Sequence, residues 1–152
     1  MAIKLSKKGE YALRAMIALA HAAGGSLTIQ QIATAQDIPK KFLEQILLAL
    51  KAAGLVHSKA GPRGGYDLLA SPEGISVRRI LEAVEEPISM PKGARTAAGE
   101  QAPAGADSAL RLSDTLDDIR AYVRQKLDGI SLADIASKDL PEEHVEALMW
   151  YI

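Results

Sequence analysis

Apolar residues recur at helical spacing from the start of the chain. Between Lys7 and Ala23 the positions Leu13, Met16, Ile17 and Ala20 fall at i, i+3, i+4 and i+7, and Gly24 and Gly25 follow as a stop. That spacing lines one face of an amphipathic helix. "TIQQIATAQ" then opens with Thr28 and places Gln31 three residues on, the arrangement in which each side chain satisfies a free backbone donor of the other. A short second helix is predicted. After "DIP", with Pro39 tolerable in a first turn, Leu43, Ile46, Leu47 and Leu50 line one face of a third helix that runs to Gly54.

Two helices joined by only a few residues, the second opening with Lys40 and Lys41 and burying a Leu/Ile stripe, meet the needs of a helix-turn-helix. The stripe fixes the second helix on its supports while the cationic first turn stays free. An ordinary helical hairpin with two surface lysines is the competing reading. The next segment weighs between them: "GLVHS" and "GYDLLA" are strand-length runs flanking "KAGPRG", so the unit reads helix, helix, strand, turn, strand, the winged form. A phosphate-binding loop would need a helix after its glycines, with Lys-Ser or Lys-Thr following the last one. Here Tyr66 and a strand follow Gly65, so that reading is rejected.

"SPEGISVRRILEAVEE" predicts a turn and a further helix with Ile80 and Val84 on one face. From Pro87 to Ser108 the pattern collapses into a stretch rich in Pro, Gly and Ala; loops of that length are functional or disordered. Beyond it Leu112, Leu116, Ile119, Val123 and the pair Lys126-Leu127 recur at alternating spacings of four and three in an otherwise polar helix. So lean an apolar edge packs most simply on a copy of itself, the alternative being its own domain. "SLADIA", with Ser131 and Asp134 as a capping pair, begins a last short helix, and the apolar tail "EEHVEALMWYI" is expected to dock. The predicted fold is mainly α with a small β-wing, a winged helix-turn-helix plus a long dimerisation helix. It divides into a DNA-binding domain at 1–86, a flexible loop at 87–108, and the dimerisation helix with C-terminal helices at 109–152.

Composition narrows the function. The 152 residues suffice for one compact domain with an extended dimerisation element. No run approaches the roughly 18 apolar residues that span a bilayer, so the reading is a soluble cytoplasmic protein with no membrane partner. The chain has no cysteine, and its histidines, His21, His57 and His144, lie far apart, which excludes thiol chemistry and disfavours an imidazole metal site. Up to Tyr66 nine Lys/Arg face three Asp/Glu, a net of +6, and the rest carries nine against sixteen, a net of −7. A basic front half suits a polyanion. The acidic neighbours Glu85-Glu86, Asp117-Asp118 and Glu142-Glu143 do not face each other on a helix, so they read as solvated faces, and no enzymatic constellation emerges.

Three stretches, "KLSKKGEYALRAM", "IPKKFLEQILLALKAAGLVHSKAGPRGGYDLLASPEGISV" and "GISLADI", together resemble the IscR-like, or Rrf-two, family of bacterial winged-helix transcription regulators, in order and over nearly the whole chain. The resemblance implies a homodimer on a partly palindromic double-stranded operator, each recognition helix in a major groove and each wing at a neighbouring minor groove. The positions expected to meet DNA are Lys7, Lys8, Thr28, Pro39, Lys40, Lys41, Phe42, Glu44, Gln45, Lys59, Arg63 and Gly64, with Glu44 able to accept from a cytosine amino group. The stripe from Leu112 to Leu127 is expected to form the dimer seam. Relatives commonly carry an arginine two residues before the wing proline, where this chain has Ala60; Lys59 or Arg63 then takes the minor-groove contact, or the wing touches backbone alone.

A larger departure concerns the long loop. Many members of that family hold an iron–sulfur cluster there on three cysteines; the matching positions here are Ala94 (or Ala97 or Ala98), Ala102 and Ala109. As written, the chain is expected to hold no cluster and no other metal, a cluster being open only to a cysteine-containing parent. Either it is a naturally cluster-free member or alanines have replaced cysteines to give an apo form. Rare relatives use a glutamate and a histidine of the first helix as ligands, but Arg14 stands at the histidine position, which leaves Glu10 an ordinary helix carboxylate. The functions in competition are a DNA-binding repressor or activator, a cluster-independent regulator answering another signal, a dimeric protein-interaction adaptor, and a small-molecule binder using the loop.

Overall fold

Side-chain caps mark where the helices begin. Ser6 Oγ accepts from the Gly9 amide and starts α1 (Lys7–His21). The Thr28–Gln31 capping box starts α2 (Ile29–Gln36), with both reciprocal bonds formed. Such a cap removes backbone donors from water's competition and is worth about 1 kcal/mol. The third helix, α3 (Lys40–Ala52), has Pro39 at its cap and no side-chain bond to its free amides. Strands β1 (Val56–Lys59) and β2 (Gly65–Leu68), a 3-10 turn at Pro72–Gly74, α4 (Val77–Val84), α5 (Ala106–Asp128) and α6 (Leu132–Ala136) complete the order. This computed structural model describes residues 5–22, 24–85 and 105–137. The apolar tail read as a docking segment lies outside them, and α5 begins at Ala106, within the stretch read as loop.

The core gathers the predicted stripes of α3 and α4, but the face that α1 buries is rotated from the predicted one: of Leu13, Met16, Ile17 and Ala20 only Met16 is fully buried, and the other three pack partly buried against the cluster. Ala12, Ala15, Met16 and Leu19 of α1 meet Ile32 of α2 and Leu43, Ile46, Leu47 and Leu50 of α3, with Leu55, Val56, Ile75, Ile80, Val84 and Leu132 closing the cluster. Two alanines on the inner face of α1 let the helices approach closely, and each fully buried leucine or isoleucine contributes about 1.5–3 kcal/mol. α3 is thereby gripped along one whole side.

Between α2 and α3 the chain turns at Asp37, the single described non-glycine residue with positive φ (50°); short polar side chains tolerate that left-handed conformation. Ile38 then plugs the joint at 4% exposure. The strands pair antiparallel with Val56 opposite Leu68 and Lys59 opposite Gly65. Leu27 adds a single bridge to Tyr66 by two backbone hydrogen bonds of 2.9 and 2.7 Å, fastening the wing to the residue before the α2 cap.

α5 leaves the core and is held to it at one end. Arg78 donates to Asp128 (3.0 Å) and Glu82 (3.0 Å), and Arg124 lies 3.2 Å from Glu82. The Arg78 hydrogen bond, with a second from Ser76, keeps the Asp128 carboxyl below the usual carboxylate range, and Asp128 raises Arg78 in return. The predicted seam is split: Leu116, Val123 and Leu127 are half-buried within the single chain, whereas Leu112 and Ile119 are 61% and 50% exposed. Among the described residues no helix is long and apolar enough to cross a membrane.

Candidate nucleic-acid interface

Helical periodicity gives α3 two faces. Leu43, Ile46, Leu47 and Leu50 are fully buried, and the opposite face presents Lys41, Glu44, Gln45 and Leu48 to solvent. Lys40 and Lys41 stand in a first turn whose amides lack a side-chain cap. Cations there oppose the helix dipole, which favours anions at an N-terminus. An isolated helix would be better served by acidic residues; a phosphate at this end would satisfy both the amides and the lysines. Neither lysine has a carboxylate at ion-pair distance among the described residues.

α1 braces this turn. The exposed Phe42 ring packs edge-on against Tyr11, centroids 6.5 Å apart, and Lys7 and Arg14 each lie 6.0 Å from the Tyr11 centroid. Arg14 also pairs with Glu10 at 3.3 Å and donates to the Gln36 carbonyl at the end of α2. One guanidinium thus ties α1 to the joint of the helix-turn-helix. In the sequence Arg14 stands out only as the residue at a relative's histidine position; its role depends on a contact 22 residues away that no local pattern encodes. Lys7 is shared with Glu10 (3.0 Å) and Lys8 is exposed. Ser6 donates to Glu85 Oε1 at 2.9 Å, and Gly9 packs against the same carboxylate, where an added Cβ would come within 2.7 Å of that oxygen and displace the end of the Glu85 side chain.

The wing sorts its cations. Lys59 reaches Asp67 Oδ2 at 3.4 Å, and Asp67 Oδ1 accepts the Leu68 amide at 2.8 Å. Asp67 is the single buried charged residue among those described. Arg63, at the exposed turn between the strands, has no described carboxylate beside it, and Ala60 next to the turn is exposed. The Gly64 amide donates to Gly61 O at 2.9 Å, and a Cβ on Gly64 would stand 2.4 Å from Lys59 O. Thr28 lies beside the Leu27–Tyr66 bridge with its oxygen engaged as the α2 cap, so its hydroxyl hydrogen remains for another acceptor.

The residues present do not fit a cysteine-held cluster. No cysteine exists in the chain, Ala109 offers a methyl group from an exposed turn of α5, and Ala94 and Ala102 lie outside the described residues. Glu10 is committed to Lys7 and Arg14. No group of three or more possible metal-ligating side chains converges among the described residues.

A helix-turn-helix with an outward polar recognition helix and a glycine-turned two-stranded wing defines a winged-helix DNA-binding regulator. Comparison with known proteins agrees. Residues 5–138 match the family described as Rrf2, iron-dependent transcriptional regulator. The chain is 36% identical over 142 residues to the helix-turn-helix-type transcriptional regulator IscR of Cereibacter sphaeroides, covering 91% of this chain and 90% of that one. It is 34% identical over 151 residues to CymR of Bacillus subtilis, covering 99% and 100%. The solved structure of T. potens IscR superposes with a TM-score of 0.71 at 29% identity, over 93% and 90% of the two chains. The protein belongs to the Rrf2 family of transcriptional regulators. These relatives are regulators of transcription and not enzymes.

Proposed function

We propose that the chain acts as a homodimer on a partly palindromic duplex, with α3 of each copy in a major groove and each wing over an adjacent minor groove. The carrying observation is the outer face of α3: two lysines with no carboxylate at ion-pair distance among the described residues, in an uncapped first turn, followed by Glu44 and Gln45, all exposed on a helix whose other face is locked in the core. In this reading Lys40 and Lys41 hold phosphates and set the register. Glu44 accepts from a cytosine amino group, and Gln45 suits an adenine edge. Lys7 and Lys8 add phosphate contacts from α1, Pro39 and Phe42 shape the entry turn, and Thr28 and Gly64 bring backbone and hydroxyl donors to the flanks. Arg63 is the wing cation, because Lys59 is engaged by Asp67.

The dimer reading rests on α5, where Leu112 and Ile119 stay exposed on an otherwise polar helix. A two-fold seam there would cover them. For the signal, the chain as written works without a cysteine-bound cluster. The Rrf2 family is known as one of iron-dependent regulators, whereas its member CymR of B. subtilis is a global cysteine regulator, so membership alone supplies no signal. The deciding experiment selects from random duplexes with the full chain and then follows affinity against salt. Enrichment of one motif with two related halves supports the reading; no enriched motif would refute it.

A further inference from the structure

We propose that Leu48 reads a thymine in the major groove through its C5-methyl group, a specificity contact that rests on the placing of α3 given above. A lone exposed leucine is ordinary on a protein surface; the position of this one is not. Leu48 is 61% exposed and lies four residues after Glu44, three after Gln45 and seven after Lys41. At 100° per residue these side chains share one line down the outer face. The other three are polar or charged, and Leu43, Ile46, Leu47 and Leu50 form the fully buried face of α3, with Ala49 packed partly buried beside them. Leu48 is therefore surplus to folding, and helix propensity does not ask for it, since Lys, Gln or Glu serve as well at an exposed site.

In the major groove the one apolar feature of a base edge is the thymine methyl. An apolar side chain on the groove-facing line, one turn beyond two hydrogen-bonding readers and flanked by lysines, matches that methyl group. A protein partner would instead ask for a broader apolar patch. The neighbours of Leu48 along the line, Lys41, Glu44 and Gln45, do not provide one.

The test uses the operator obtained by selection. Each thymine of a half-site is replaced singly by deoxyuridine, which lacks only the methyl group, and affinity at one fixed salt concentration is measured for the native chain and L48A. Leu48 makes no buried contact, so L48A folds, and a thermal melt checks it. One thymine per half-site is expected to lose about fourfold on replacement, the value of one buried methyl-sized group. L48A should bind the thymine operator about fourfold more weakly per half-site and be indifferent to deoxyuridine at that position. Native binding indifferent to every replacement, or an unchanged loss in L48A, overturns the assignment. K41A and E44A separate the two failures: if they weaken binding while L48A does not, Leu48 alone is misassigned, and if none of the three matters, the placing of α3 falls with it.

Discussion

Charge pairing decides which side chains of the wing are free to act. Lys59 and Arg63 are both legible in the sequence as wing cations, but their difference is not. It arises because Lys59 stands opposite Gly65, which puts Asp67 diagonally across the two strands, and diagonal neighbours lie within reach of a long side chain. A pairing of this kind exists only once the register is set. It makes a specific prediction. Arg63→Ala should weaken operator binding and make the salt dependence shallower by about 0.9 in log–log slope for each half-site, the loss of one phosphate contact per copy; unchanged affinity and slope would remove Arg63 from the interface. Lys59→Ala should have little effect in the native chain. In Asp67→Asn, which keeps an acceptor for the Leu68 amide but frees Lys59, binding should tighten and the slope should steepen by a similar amount, and adding Lys59→Ala should cancel the gain. A D67N chain that binds like the native one contradicts the restraint.

Helices and strands here were legible in proportion to how local their causes are. Caps at Thr28 and Ser131, the stripe of α3 and the glycine-rich turn of the wing are written within a few residues, and each forms as expected. The division of the α5 stripe was not legible. Its two shoulders differ only in what the rest of the fold covers, and the start of α5 at Ala106 lies in a stretch whose composition signals a loop. The wing also depends on a close approach the sequence could not announce. Gly65 has φ 144°, and a Cβ there would sit 2.5 Å from the Leu27 carbonyl oxygen. Gly65→Ala must therefore push β2 off Leu27 or strain its own backbone, at about 1–3 kcal/mol. Gly61→Ala, with φ 105° but open space around it, meets only the backbone term. The expected outcome is a lower melting temperature and weaker operator binding for G65A than for G61A, although neither adds or removes a charge. Equal melting temperatures for the two variants would show that the Leu27–Tyr66 contact does not hold the wing.

Taken as one molecule, the chain joins a cationic reading half to an acidic half whose long helix is tied to the core by Arg78, Asp128, Glu82 and Arg124. The proposed assembly follows from what that helix leaves uncovered. Leu112→Glu with Ile119→Glu should leave the fold intact, since both side chains are exposed in the single chain, but should turn a dimer into a monomer in sedimentation analysis and weaken operator binding. A double variant that stays dimeric would locate the seam elsewhere. The most direct measurement for the whole account remains the selection from random duplexes, followed by affinity over a range of salt. One enriched motif is expected, its halves related by two-fold symmetry and spaced by about one helical turn, with log affinity falling linearly against log salt by about 0.9 for each phosphate engaged. A chain that enriches no motif and binds all duplexes alike would contradict it.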